Sequence, residues 1–275
     1  MKKFFVFGYN KSGTTFLQKL LDAHPKVNCP PEHHLNSVIS VIRSFCPQYK
    51  AVIESFDQNT GRQGIRFDEN FVLHHAFRGF VEAFMFCEAH KEATHVGLND
   101  NSMGLHLEFI DAIFPSAKFI AIVRDPREIA VSLFHHKMRT ERVFPAKNGT
   151  LSVVARAVGP AWANHMQKLR NFEQTPSGRE KLYITYYRDL IGGDRQTELH
   201  RIFAHLDVPV DEKLVGQILA QNSFAQATKK HQRNGFLRSG RTDSWVNELV
   251  PEDVAAIESA AADSMLHFGY EFHQE

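Results

Sequence analysis

FFVFGYNKSGTTFLQKLL, residues 4–21, decides the fold. Phe4, Phe5, Val6 and Phe7 form a short continuous apolar run, the pattern of a strand buried on both faces of a parallel sheet. Gly8 opens a turn. Beyond it Phe16, Leu17, Leu20 and Leu21 recur at helical spacing, so Lys11, Ser12, Gly13, Thr14 and Thr15 fall at or just before a helix N-terminus. Backbone N–H groups without helical partners and the positive end of the helix dipole favour a phosphate or sulfonate there. Gly13 would let the anion approach the main chain, and Lys11 adds a full positive charge. The order differs from the nucleotide triphosphate loop GxxxxGK[ST], because the lysine stands two residues before the glycine. Without an anion, the same residues would make a tight strand-to-helix turn capped by a Ser or Thr side chain.

A second stretch, KFIAIVRDPREIAVSLF at residues 118–134, repeats the plan. Residues 119–123 are another apolar strand, with Arg124 at its C-terminal end, where open α/β sheets bind ligands. Pro126 suits the first turn of a helix, Ile129, Ala130, Leu133 and Phe134 give that helix an apolar face, and Ser132 presents a hydroxyl on it. The guanidinium fork of Arg124 matches a phosphate. The competing assignment is a surface ion pair of Arg124 with Asp125, which would be worth little.

On these residues the chain resembles the sulfotransferases that use 3′-phosphoadenosine 5′-phosphosulfate (PAPS). GYNKSGTT resembles their 5′-phosphosulfate loop, and RDPREIAVS resembles their 3′-phosphate motif, with Arg124 and Ser132 as its ligands. FLRSGRTDSW, residues 236–245, resembles the C-terminal Arg-x-Gly loop, in which Arg238, Ser239 and Gly240 would close on the same 3′-phosphate. ITYYRDLI resembles the strand bearing an adenine-contacting tyrosine, here Tyr187, and Asn222, Ser223 and Phe224 resemble another adenine-side contact. The similarities run in the family's order from residue 4 to about residue 245. They imply one α/β domain over residues 1–275: three layers, α/β/α, around a central, mostly parallel sheet. They also imply PAPS as co-substrate.

Sulfuryl transfer resembles phosphoryl transfer, in which the protein positions the reactants and stabilises charge on the leaving oxygen. Lys11 is placed for that task, and a general base must accept the acceptor's proton. In DAHPKVNCPPEHHL, Glu32 stands where the tyrosylprotein type of sulfotransferase carries its catalytic glutamate, which makes it the expected base. His33 and His34 are the backups. One departure is plain: THVGLNDNSMG puts Asn99 where many members place a leaving-group lysine, and Asn101 where the cytosolic branch has a catalytic histidine. Asn99 is therefore a candidate catalytic residue that donates a hydrogen bond in place of a charge. Two other functions share the anion loop: an inert nucleotide-binding module of the same fold, and an ATP-dependent small-molecule kinase. The kinase is disfavoured by the missing GK[ST] order and by the two 3′-phosphate contacts.

The chain has 275 residues, 43% of them hydrophobic, and a formal net charge of +1, which fits a large apolar core and gives no global field for a nucleic acid partner. Three cysteines without CxxC spacing argue against a disulfide framework or a zinc site and for a reducing, cytoplasmic setting. No stretch reaches membrane-spanning length, so neither a membrane partner nor an anchor is expected. The histidine pairs 33–34, 74–75 and 135–136 lack an HExxH or Cys/His set, and no metal is expected. A small-molecule, carbohydrate or peptide acceptor all remain open, as does the oligomeric state. Helical patterns cover residues 36–54, 68–89, 105–114, 151–172, 197–206 and 212–221 and resume after Pro251. A strand is expected at residues 182–185, a polar loop at 136–149 and a basic loop at 229–241.

Overall fold

A computed structural model describes residues 1–30, 34–64, 66, 68–87, 89, 92–141, 143–144, 149–222 and 243–273. In chain order these form β1 (Lys2–Gly8), α1 (Thr14–Asp22), β2 (Val27–Asn28), α2 (Leu35–Thr60), α3 (Glu69–Cys87) and β3 (His95–Asn99). A 3-10 turn (Asn101–Leu105), α4 (Leu107–Ile113), β4 (Lys118–Val123), α5 (Pro126–Thr140), α6 (Leu151–Gln174), α7 (Pro176–Lys181) and β5 (Leu182–Tyr186) follow. The chain continues through α8 (Tyr187–Ile191), α9 (Arg195–His205), α10 (Glu212–Gln221), a second 3-10 turn (Ser244–Asn247) and α11 (Pro251–His267).

The strands make one five-stranded sheet in the order β2-β3-β1-β4-β5, and each described pairing is parallel. β1 sits at the centre, with Val6 beside Asn99 of β3 and Gly8 beside Ile122 of β4. The chain fills one side of β1 first and then crosses to the other, so the strand order switches between β1 and β4. Ligands of such sheets bind in the crevice beyond the strand ends at that switch. Gly8 and Arg124 stand at its two sides.

Alternate residues of the central strands face opposite ways and build two cores. Phe5, Phe7, Phe119, Ala121 and Val123 pack with α3, α4, α5, α6 and α11, whereas Phe4, Val6, Ile120 and Ile122 pack with α1, α8, α9 and α10. A strand apolar on both faces needs helices on both, so the three-layer α/β arrangement follows from the FFVF and FIAIV runs.

Several elements depart from the sequence expectation, among them α5, β2 and α8. The helix α5 continues to Thr140, so residues 136–140 belong to it and not to the polar loop. Lys137 and Arg139 in its last turn complement the helix dipole, and Lys137 pairs with Glu141 at 3.2 Å. The strand β2 was not foreseen, because two residues show no periodicity. Tyr187, expected on a strand, instead opens α8 directly after β5.

Candidate active site

The turn after β1 is shaped by close packing. A Cβ on Gly8 would lie 2.5 Å from the Ile122 carbonyl oxygen, and one on Gly13 would lie 2.5 Å from Cδ2 of Tyr187. Lys11 and Gly13 both adopt positive φ, 71° and 103°. The Gly13 carbonyl accepts from the N–H groups of Phe16 at 2.9 Å and Leu17 at 3.0 Å, which starts α1. Among the described residues, no side chain caps this helix. Its first N–H groups are thus left for a ligand, as the anion interpretation of the motif requires and the capped-turn interpretation does not. Alanine at Gly13 would combine a strained φ, costing about 1–2 kcal/mol, with displacement of Tyr187. For the co-substrate that the sequence resemblance implies, the expected consequence is a loss of about tenfold in affinity for its product nucleotide, 3′-phosphoadenosine 5′-phosphate (PAP), measurable by calorimetry.

Arg124 reaches across the switch point to this turn. Its Nη1 donates to the Lys11 carbonyl at 3.0 Å, its Nη2 donates to Glu128 Oε2 at 2.7 Å, and its guanidinium lies 4.2 Å from the centre of the Tyr187 ring. The partner foreseen for Arg124 in a plain surface pair, Asp125, instead holds Arg127 at 2.6 Å. Glu128 is buried, and its second oxygen accepts from the Ser244 N–H at 2.8 Å. Nearby, His135 Nε2 and Glu248 Oε2 are 2.6 Å apart. The chain that returns after residue 242 is therefore stapled to α5 beside the two motifs.

Between them opens a cavity of about 880 Å³. Lys11, Gly13, Thr14, Thr15, Arg124, Ser132 and Tyr187 all line it, so both sequence motifs face one space. Burial, then the charges of Arg139 and Arg124, hold the Lys11 ammonium below the usual lysine pKa. A site that penalises its own cations this way is suited to a polyanion, which relieves the repulsion.

Residues 3–212 match the model of the sulfotransferase family. The chain belongs to the sulfotransferase family. It is 25% identical over 279 residues to protein-tyrosine sulfotransferase A of Caenorhabditis elegans, an alignment covering 97% of this chain and 67% of that one. Against protein-tyrosine sulfotransferase 1 of Danio rerio it is 30% identical over 141 residues, 50% of this chain and 37% of the relative. The chain thus spans only part of these curated relatives. Among solved structures, a mouse sulfotransferase complexed with PAP shares the fold at 16% identity and a TM-score of 0.62, covering 96% of this chain and 84% of that one. The sulfotransferase domain of the curacin biosynthetic pathway does so at 18% identity and a TM-score of 0.61, covering 99% of each.

Within this sulfotransferase fold, other site residues foreseen from sequence lie differently. Ser12 is fully buried behind the loop, with no hydrogen-bond partner for its hydroxyl among the described residues. Asn99 is 3% exposed at the end of β3 and stands outside the cavity lining. Its neighbours Asp100, Asn101 and Ser102 line the cavity instead, as does His34. Glu32, His33, Phe224, Arg238, Ser239 and Gly240 fall outside the described residues.

Sequence reasoning missed Glu128, Arg139 and His165. Glu128 had a signal, since it lies four residues after Arg124, in the first turn of the helix that Arg124 precedes. Arg139 was hidden by the early end assigned to α5. His165, a lone histidine in α6, had none. It lines the cavity yet is 5% exposed, with its ring edge-on to Tyr9 at 5.8 Å, and burial pushes its pKa down to about 4. The unfolded chain therefore binds a proton near the ordinary histidine pKa that the folded chain refuses until about pH 4. Stability should fall as pH drops across that window, by up to about 3 kcal/mol at its acid end. Urea unfolding of His165→Gln should show this part of the acid loss removed.

Proposed function

We propose that the protein transfers the sulfuryl group of PAPS to a hydroxyl or amine of an acceptor. The acceptor oxygen or nitrogen forms the new bond to sulfur, the bond from sulfur to the bridging phosphate oxygen breaks, and PAP leaves with that electron pair. The acceptor's proton passes to a base. The observation that carries this is the convergence of Lys11, the uncapped start of α1, Arg124 and Ser132 on one cavity. The first two would hold the 5′-phosphosulfate and stabilise the leaving oxygen, and the second two would hold the 3′-phosphate. Tyr187, stacked on Arg124, would take the adenine. Ser244, four residues past Gly240, lines the cavity, which supports Arg238, Ser239 and Gly240 as further ligands of the 3′-phosphate.

Glu32 is our choice of base. Its support is the anchoring of the residues that follow: His34 lines the cavity, and the Leu35 N–H donates to Asp100 Oδ2 at 2.5 Å. Purified protein given sulfur-labelled PAPS should transfer label to an acceptor, and Glu32→Gln should lower that rate about a hundredfold or more with PAP affinity kept. Asn99 favours a second reading, because it puts an uncharged, buried side chain where many relatives place a lysine. Tight PAP binding without turnover on any acceptor, and no rescue by Asn99→Lys, would establish an inert nucleotide-binding module instead.

A further inference from the structure

Two groups of described residues around the cavity are set apart by their contacts. One is charged and centred on Arg124, which joins Lys11, Glu128 and Tyr187, with Ser244 attached through Glu128. The other is built on the turn Asn101–Leu105 and the middle of α6. There Asn101 Nδ2 donates to Asn10 Oδ1 at 3.1 Å, Asn36 Oδ1 is 3.0 Å from His106 Nε2, and His165 packs against Gly104 and the Tyr9 ring. Asn164 adds a fourth amide from α6. The two groups meet at the peptide joining Asn10 to Lys11.

We propose that this second wall is the acceptor subsite and that it takes an uncharged, polyhydroxylated acceptor of the carbohydrate or polyol class. The inference rests on the sulfuryl-transfer function proposed above, and it adds the acceptor's chemistry. Among the described lining residues the lysine and arginine side chains are Lys11, Arg124 and Arg139. The first two belong to the nucleotide group, and Arg139 is close enough to Lys11 to depress its pKa. Among the described residues the acceptor wall carries amides, hydroxyls, the Tyr9 ring, His34 and a His165 held neutral by burial.

Those groups donate and accept at once, as sugar hydroxyls do, whereas clustered carboxylates demand forked or point cations. Among the described residues the acid of that wall is Asp100, and it is already committed. Its Oδ2 takes the Leu35 N–H at 2.5 Å, and its Oδ1 takes the Ser102 N–H at 2.8 Å and hydroxyl at 2.6 Å. It is 1% exposed, and both of its oxygens already accept hydrogen bonds from the protein.

The test uses the whole chain, labelled PAPS and two sets of probes: p-nitrophenyl glycosides of neutral mono- and disaccharides, and a tyrosine peptide flanked by aspartates and glutamates. Asn164 is exposed on α6, so its variants should fold. Label is expected on the glycosides, and Asn164→Leu should raise their KM about tenfold while kcat and PAP affinity stay within about twofold. Preferential labelling of the acidic peptide, improved further by the added cation of Asn164→Lys, would overturn the acceptor assignment. So would PAP binding with no label on any glycoside. Failure to bind PAP at all would instead sink the sulfuryl-transfer function, and this inference with it.

Discussion

Alanine at Lys11 is expected to lower kcat with PAPS by about 10²–10³-fold, the usual cost of deleting one preorganised donor to a developing negative charge. The fold should survive. Lys11 already sits at φ 71°, and an alanine there meets the same backbone strain and keeps the carbonyl that Arg124 uses. The pH profile should carry the same signature. The ammonium form is the one that attracts the nucleotide, and burial with two neighbouring arginines lowers its pKa. Affinity for PAP should therefore begin to fall at a lower pH than an ordinary lysine would allow, and Lys11→Arg should move that decline upward, because arginine stays charged. Calorimetric titrations of both proteins across alkaline pH check this. Unchanged PAP affinity in Lys11→Ala would remove the lysine from the site.

Arg124→Ala should damage both binding and stability. Losing a charged, forked contact to the 3′-phosphate is worth about a hundredfold in PAP affinity, and adenosine 5′-phosphosulfate, which lacks that phosphate, should bind the variant as it binds the parent. The stability cost comes from Glu128, which is 3% exposed and would be left as a buried carboxylate without its cation. Breaking such a pair costs about 3–5 kcal/mol. Adding Glu128→Gln should recover much of the lost thermal stability, since the amide oxygen can still accept from the Ser244 N–H, but it should not recover discrimination between the two nucleotides. A double variant that regained selectivity for PAP would show that Arg124 acts through folding alone.

The two motifs were legible because each is local. An unbroken apolar run, a glycine and a helical repeat occupy under twenty residues, and strand burial on both faces leaves few ways to arrange them. The unbroken apolar run from Phe4 to Phe7 also implied burial on both faces of the sheet, which the two cores show. What the sequence hid depends on contacts between distant segments. Tyr187 packs against Gly13 across the switch point, and its place at the start of a helix is set by β5 ending one residue earlier. The histidine at 165 owes its lowered pKa to burial, among neighbours such as Gly104 and Tyr9 some 60 and 156 residues away along the chain. Asn99 illustrates the converse. Its position in a motif made it a candidate, yet it is buried at the end of β3, and the cavity is lined instead by Asp100 and Asn101, where the chain turns beyond the strand.

A crystal structure of the protein with PAP tests the central claim most directly. The account predicts one nucleotide spanning the switch point, its 5′-phosphate at the N–H groups that open α1 beside Lys11 and its 3′-phosphate within hydrogen-bonding distance of Arg124 and Ser132. A nucleotide bound elsewhere, or one whose 3′-phosphate points away from Arg124 into solvent, would contradict it.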